Sequence, residues 1–155
     1  MKSKFILSIL TATIAATFLL HSCKKDVAGC MDSTSINYNA DATKDDGSCK
    51  YNGKVIFWWD KTFADSAQAY STPNVRVSIN GTFQGTLPVG SQYWNSAPSC
   101  GATGALTSTI DMGSNKSTVI TIKFDLLDAS SNVVVTQSYT ATVQSNTCNT
   151  MKLPD

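Results

Sequence analysis

From Gly53 onward, apolar and polar residues alternate in short runs cut by turn residues, and a period of two residues buries one face of a β-strand, not one face of a helix. Lys54 to Asp60 (KVIFWWD) is apolar on both faces, which fits a strand at the centre of a sheet. Val75, Val77 and Ile79 alternate with Arg76 and Ser78, and Asn80-Gly81 then supplies a hairpin turn into Thr82 to Leu87. Leu106, Ser108, Ile110 and Met112 form another run, ended by Gly113-Ser114-Asn115. Thr118 to Leu127 puts Ile120, Ile122, Phe124 and Leu126 on one face. After an Asp128 to Asn132 turn, Val133, Val135, Tyr139, Ala141 and Val143 repeat the pattern, and Thr147 to Leu153 directs Met151 and Leu153 inward. Seven short strands with no helical period predict an all-β fold, an antiparallel β-sandwich over 53–155. A length of about a hundred residues suffices for one core but hardly for two domains.

Upstream the grammar changes. Lys2 and Lys4 make a positive start, and Phe5 to Leu20 is an uncharged apolar run, short of the roughly 20 residues that a membrane span needs. Residues 1–22 therefore read as a signal helix to be cleaved rather than a retained span. Leu20-His21-Ser22-Cys23 resembles the lipobox of bacterial lipoprotein precursors. The resemblance implies cleavage before Cys23, a diacylglyceryl thioether on its sulfur and acylation of the freed amine. Two or more acyl chains hold a protein stably on a membrane, with 23–28 as the tether. Cys23-Lys24-Lys25-Asp26 also resembles the short charged signal that favours surface display in Bacteroidota-type outer-membrane lipoproteins.

Such a cut removes Lys2 and Lys4, leaving ten basic residues against eleven aspartates and no glutamate. No basic field survives for nucleic acid. The one histidine, His21, would leave with the signal segment. With it go His-activated nucleophiles and His-ligated zinc or iron.

Cys30, Cys49, Cys100 and Cys148 remain beyond Cys23, and an even set in an exported chain reads as disulfides, with three connectivities open. The organisation favours Cys30 with Cys49 and Cys100 with Cys148, since the first two bracket one small module at 29–51 and the others fall in the strand region. A four-thiolate zinc site is the rival, without a close C-x-x-C pair to support it. The module offers only Met31, Ile36 and Tyr38 for burial, so it needs a staple. Asn37, Asn39, Asp41, Asp45 and Asp46 crowd hard oxygen atoms of the kind calcium prefers. The spacing fails as an EF-hand, with Ala42 at the glycine position and Ser48 at that of the bidentate glutamate. Gly29 to Tyr51 resembles a short Cys-rich repeat of exported Bacteroidota proteins, with its G-C-x-D opening and D-D-G-S-C close, and is similar to thrombospondin type 3 repeats. That likeness implies calcium beside a disulfide; the alternative is that the same side chains form Asx-turns with their own backbone.

Gly53 to Leu153 resembles a small β-sandwich domain of Bacteroidota lipoproteins, on Phe57-Trp58-Trp59, Ala97 to Gly101, and Cys148 with Leu153. The resemblance implies an immunoglobulin-like or transthyretin-like sandwich without catalysis. Asp60 and Asp65 would be the pair for an aspartate-only hydrolase, but that needs a cleft and one raised pKa, and acids in turns read as solvated charges. Tyr93 and Trp94 lie in the polar loop from Gly90 to Cys100, where they either stack on sugar or peptide or cover the Cys100 staple. The expectation is a membrane-anchored, surface-displayed, non-enzymatic lipoprotein that binds a glycan or protein partner. An envelope spacer and an aspartate-only hydrolase are the other readings.

Overall fold

The computed structural model describes residues 25–90 and 92–154, so the expected signal segment and Cys23 lie outside the described residues. Among the described residues ten elements follow one another: β1 (Ala28–Gly29), β2 (Lys44–Asp45), β3 (Tyr51–Trp58), α1 (Lys61–Ala69), β4 (Asn74–Ile79), β5 (Thr82–Pro88), β6 (Leu106–Gly113), β7 (Ser117–Leu127), β8 (Val133–Gln144) and β9 (Cys148–Lys152). The seven strands from β3 onward form a β-sandwich of two sheets, ordered β6-β3-β9 and β5-β4-β7-β8, while β1 and β2 pair within the module. Between the sheets lies one core, built from Val55, Phe57, Trp59, Val75, Val77, Ile120, Ile122, Phe124, Val143 and Leu153. The inward positions read from the two-residue period in β4, β6, β7 and β9 are the ones that pack there.

β3 is the central strand of its sheet, as its doubly apolar sequence requires. Val55 and Phe57 enter the core, whereas Ile56 points the opposite way and is still fully buried. The loop carrying Cys100 lies against that second face, tied to Cys148 by a disulfide and to Thr107 Oγ1 by the Gly101 N–H at 2.9 Å. Trp58 Nε1 is buried without a hydrogen-bond partner. Gly53 is required in β3, since a Cβ there would stand 2.6 Å from Val143 Cγ1 and 2.8 Å from the Gln144 carbonyl oxygen. The Asn80-Gly81 hairpin forms as expected, both residues at positive φ (49° and 80°).

Three expectations are corrected. A helix, α1, follows β3 where none was read. Asp60 caps it, accepting the Phe63 N–H at 3.2 Å, and Phe63, Ala64 and Ala67 are buried on one side. Nine residues are too few turns for a helical period to stand out beside long strands. The sandwich is not wholly antiparallel: β9 pairs with β3 in parallel, Lys54 beside Cys148 and Trp58 beside Lys152. Period-two patterning fixes which face is buried and carries no strand direction. Val133 is exposed rather than inward, because a register shift at Leu126/Leu127 puts it out of phase with Val135.

Candidate functional site

The acidic module is built almost without a core. Met31, Ile36 and Tyr38, the apolar residues it has to offer, remain exposed, and its order comes from covalent and polar ties. Cys30 and Cys49 are joined, with 4.8 Å between Cα atoms. The Asn37 side chain bridges two backbone segments, donating Nδ2–H to the Ser48 carbonyl (2.8 Å) and accepting the Lys50 N–H at Oδ1 (2.7 Å). Asn39 Oδ1 accepts the Asp41 N–H, Asp45 Oδ1 the Gly47 N–H, and Asp46 Oδ1 the Ser48 N–H. These last three are Asx-turns, the alternative use of the residues put forward as calcium ligands. The hydrogen bonds from Ser48 hold the Asp46 carboxyl below the usual carboxylate range. Among the described residues no group of three or more His, Cys, Asp or Glu side chains is gathered as a metal cage. Asp41, Asp45 and Asp46 are thus not gathered with one another or with a further acid or cysteine into such a group.

Asp32 latches the module to the sandwich. Its Oδ1 accepts the N–H and hydroxyl of Thr34, and its Oδ2 accepts the Tyr51 hydroxyl at 2.7 Å and stands 2.5 Å from Lys116 Nζ. Lys116 belongs to the turn between β6 and β7, and its ammonium also lies 5.5 Å from the centre of the Tyr51 ring. The ammonium of Lys116 and then the Thr34 and Tyr51 donors hold the Asp32 carboxyl well below its ordinary value of 3.8. A lowered folded pKa gives stability that is complete above the unfolded value and is lost as pH falls through the folded one. The latch therefore persists at pH values where unfolded aspartates are already protonated. Lys116→Met is expected to move the Asp32 titration midpoint upward toward 3.8 in carboxyl-carbon NMR; an unmoved midpoint would mean that the ion pair is not what holds it.

Tyr93 and Trp94 part company. Trp94 turns inward, its ring edge-on to Trp59 at 5.5 Å between centroids, and its backbone N–H donates to the Trp59 carbonyl. Tyr93 is exposed. Asp60 and Asp65 are both structurally engaged: Asp60 caps α1 and pairs with Lys152 at 2.6 Å, and Asp65 pairs with Lys61 one helical turn away at 2.7 Å.

One cluster went unread in the sequence. On the outward face of the four-stranded sheet, one register row runs Thr86, Arg76, Asp125, Thr136 across all four strands, and the next carries Phe83, Ser78, Lys123 and Ser138. Asp125 is only 2% exposed. Its Oδ2 accepts from Arg76 Nε (3.1 Å) and Nη2 (2.8 Å), its Oδ1 from the Thr136 hydroxyl (2.6 Å), and Lys123 Nζ stands 3.0 Å from Oδ1. Burial pushes this carboxyl up, and the hydrogen bonds from Thr136, Arg76 and Lys123 more than reverse that, so it is held below its ordinary value. The available signal was Lys123-x-Asp125, two charges on the outward side of a strand whose other side is fully apolar. Among the described residues no helix is long and apolar enough to cross a membrane. No protein-family model, no curated protein and no solved structure matches this chain.

Proposed function

We propose that the protein is a lipid-anchored, non-catalytic binding module of the bacterial cell envelope, displayed at the outer surface. The observation that carries this reading is the cysteine count. Of five cysteines, four close two disulfides, Cys30 with Cys49 and Cys100 with Cys148, and Cys23 is the odd one. Disulfides persist in oxidising, extracytoplasmic compartments, which fits export behind the signal segment. The remaining thiol is the one that the lipobox resemblance assigns to acylation. Support for binding over catalysis comes from the acids, since Asp32, Asp60, Asp65 and Asp125 are each held in an ion pair. A general acid or nucleophile needs a carboxylate facing a cleft instead.

In cells, the mature protein is expected to begin at an acylated Cys23, to partition with membranes, and to be shaved by protease added outside. Cys23→Ser should abolish acylation and shift the protein from the membrane to the soluble fraction. An unmodified chain starting at Met1, read by intact-mass spectrometry, would overturn the assignment.

A further inference from the structure

The outward face of the four-stranded sheet holds two cations around one carboxylate. A structural ion pair needs a single partner, and Asp125 already has Arg76 bound through two nitrogens and Thr136 on its other oxygen. Lys123 therefore adds one positive charge beyond neutrality. Neither cation is sealed, with side chains 35% (Arg76) and 46% (Lys123) exposed. The carboxylate of the nearby turn acid, Asp128, is turned to its own loop, accepting the Ser130 and Asn132 N–H groups and the Asn132 side-chain amide rather than pairing with Arg76 or Lys123. Both cations open onto a concavity of about 520 Å³ whose wall also carries Ser78, Thr86 and Phe83. Phe83 is 60% exposed on β5, an edge strand, across the ladder from Ser78.

We propose that this face binds an anionic carbohydrate, a uronic-acid unit, which deepens the binding-module reading by naming its ligand class. The sugar carboxylate lies against Arg76 and Lys123, where a guanidinium and an ammonium meet it in parallel. Ring hydroxyls exchange hydrogen bonds with Ser78 and Thr86, and the apolar face of the pyranose stacks on Phe83. An acidic peptide shares the charge but has no rigid apolar ring face to set against an aromatic flanked by hydroxyls. The bound Asp125 keeps Arg76 aimed along the sheet without rearrangement on binding.

The test is calorimetric titration of the full chain in detergent with three probes: an oligogalacturonide, the neutral galacto-oligosaccharide of equal length, and an oligo-aspartate peptide. The oligogalacturonide is expected to bind about tenfold more tightly than the other two, as loss of charge-assisted hydrogen bonds or of the stacking partner requires. Phe83→Ala should weaken it about tenfold, Phe83→Tyr should retain it, and Lys123→Gln should weaken it about fivefold and flatten its dependence on salt. Each variant alters an exposed side chain, and unchanged thermal unfolding verifies that the sheet is intact. Equal affinity for the neutral sugar, binding of the peptide regardless of Phe83, or no heat from the oligogalacturonide would each overturn the site. None of these outcomes touches the acylation of Cys23, so the site can fail while the anchored-module reading stands.

Discussion

Replacing Trp59 by alanine is expected to lower the free energy of unfolding by about 4 kcal/mol, as emptying a fully buried tryptophan site does. Trp59 has no exposed surface and sits where the core meets α1 and the long loop after β5. Its ring lies 6.0 Å from Phe63 and 5.5 Å from Trp94, so one truncation strips contacts from the strand, the helix and the loop together. Its Nε1–H also donates to the Gln92 carbonyl at 2.6 Å, a bond that would leave that carbonyl without its partner when lost. Trp59→Phe keeps an aromatic ring against both neighbours and gives up the hydrogen bond and some area, so its cost should be about half as large. Urea unfolding followed by far-UV circular dichroism reads both, and a loss below about 1 kcal/mol for Trp59→Ala would mean that the site collapses around the smaller side chain and that the tryptophan does not hold strand, helix and loop together.

The second large effect is expected from Cys100→Ser combined with Cys148→Ser. These cysteines are 48 residues apart, and freeing a loop of that length raises the entropy of the unfolded chain by the equivalent of about 4 kcal/mol in the chain-entropy model. A native-state consequence accompanies it. The disulfide holds the Cys100 loop against the outer face of the three-stranded sheet, over Ile56, which has no exposure at all. In the double variant that face should gain solvent access, seen as faster amide exchange along β3 and β9 and as binding of an apolar dye. A midpoint equal to the native protein's, with no added exchange, would show that the loop holds its place by packing alone.

Much of this architecture was legible because burial follows a period of two. In β7, Ile120, Ile122, Phe124 and Leu126 alternate with polar residues without interruption until Leu127, and the strand and its inner face are where that pattern puts them. The hairpin at Asn80-Gly81 was legible for a chemical reason, since both positions need positive φ. What failed depends on partners distant in sequence. The parallel seating of β9 on β3 is decided by how the last strand crosses the sandwich, and nothing in Cys148 to Lys152 encodes direction. The α1 helix is announced mainly by Asp60, whose capping role looks like the end of a strand until Phe63 is seen to donate to it. The module illustrates another limit: oxygen-rich residues suit a cation and an Asx-turn equally, and the sequence alone does not place the turns made by Asn39, Asp45 and Asp46. On the sheet face, the partners of Asp125 come from β4 and β8 as well as its own strand, so the cluster has no signature within any short window.

The neighbouring of β3 and β9 bears on when this chain can fold. The first long strand of the sandwich waits for the last, and Asn149 Nδ2–H reaches the Lys54 carbonyl from 95 residues away in sequence. No leading fragment can therefore complete the central sheet, and distant pairings of this kind are formed slowly because a large loop must close before they give any return.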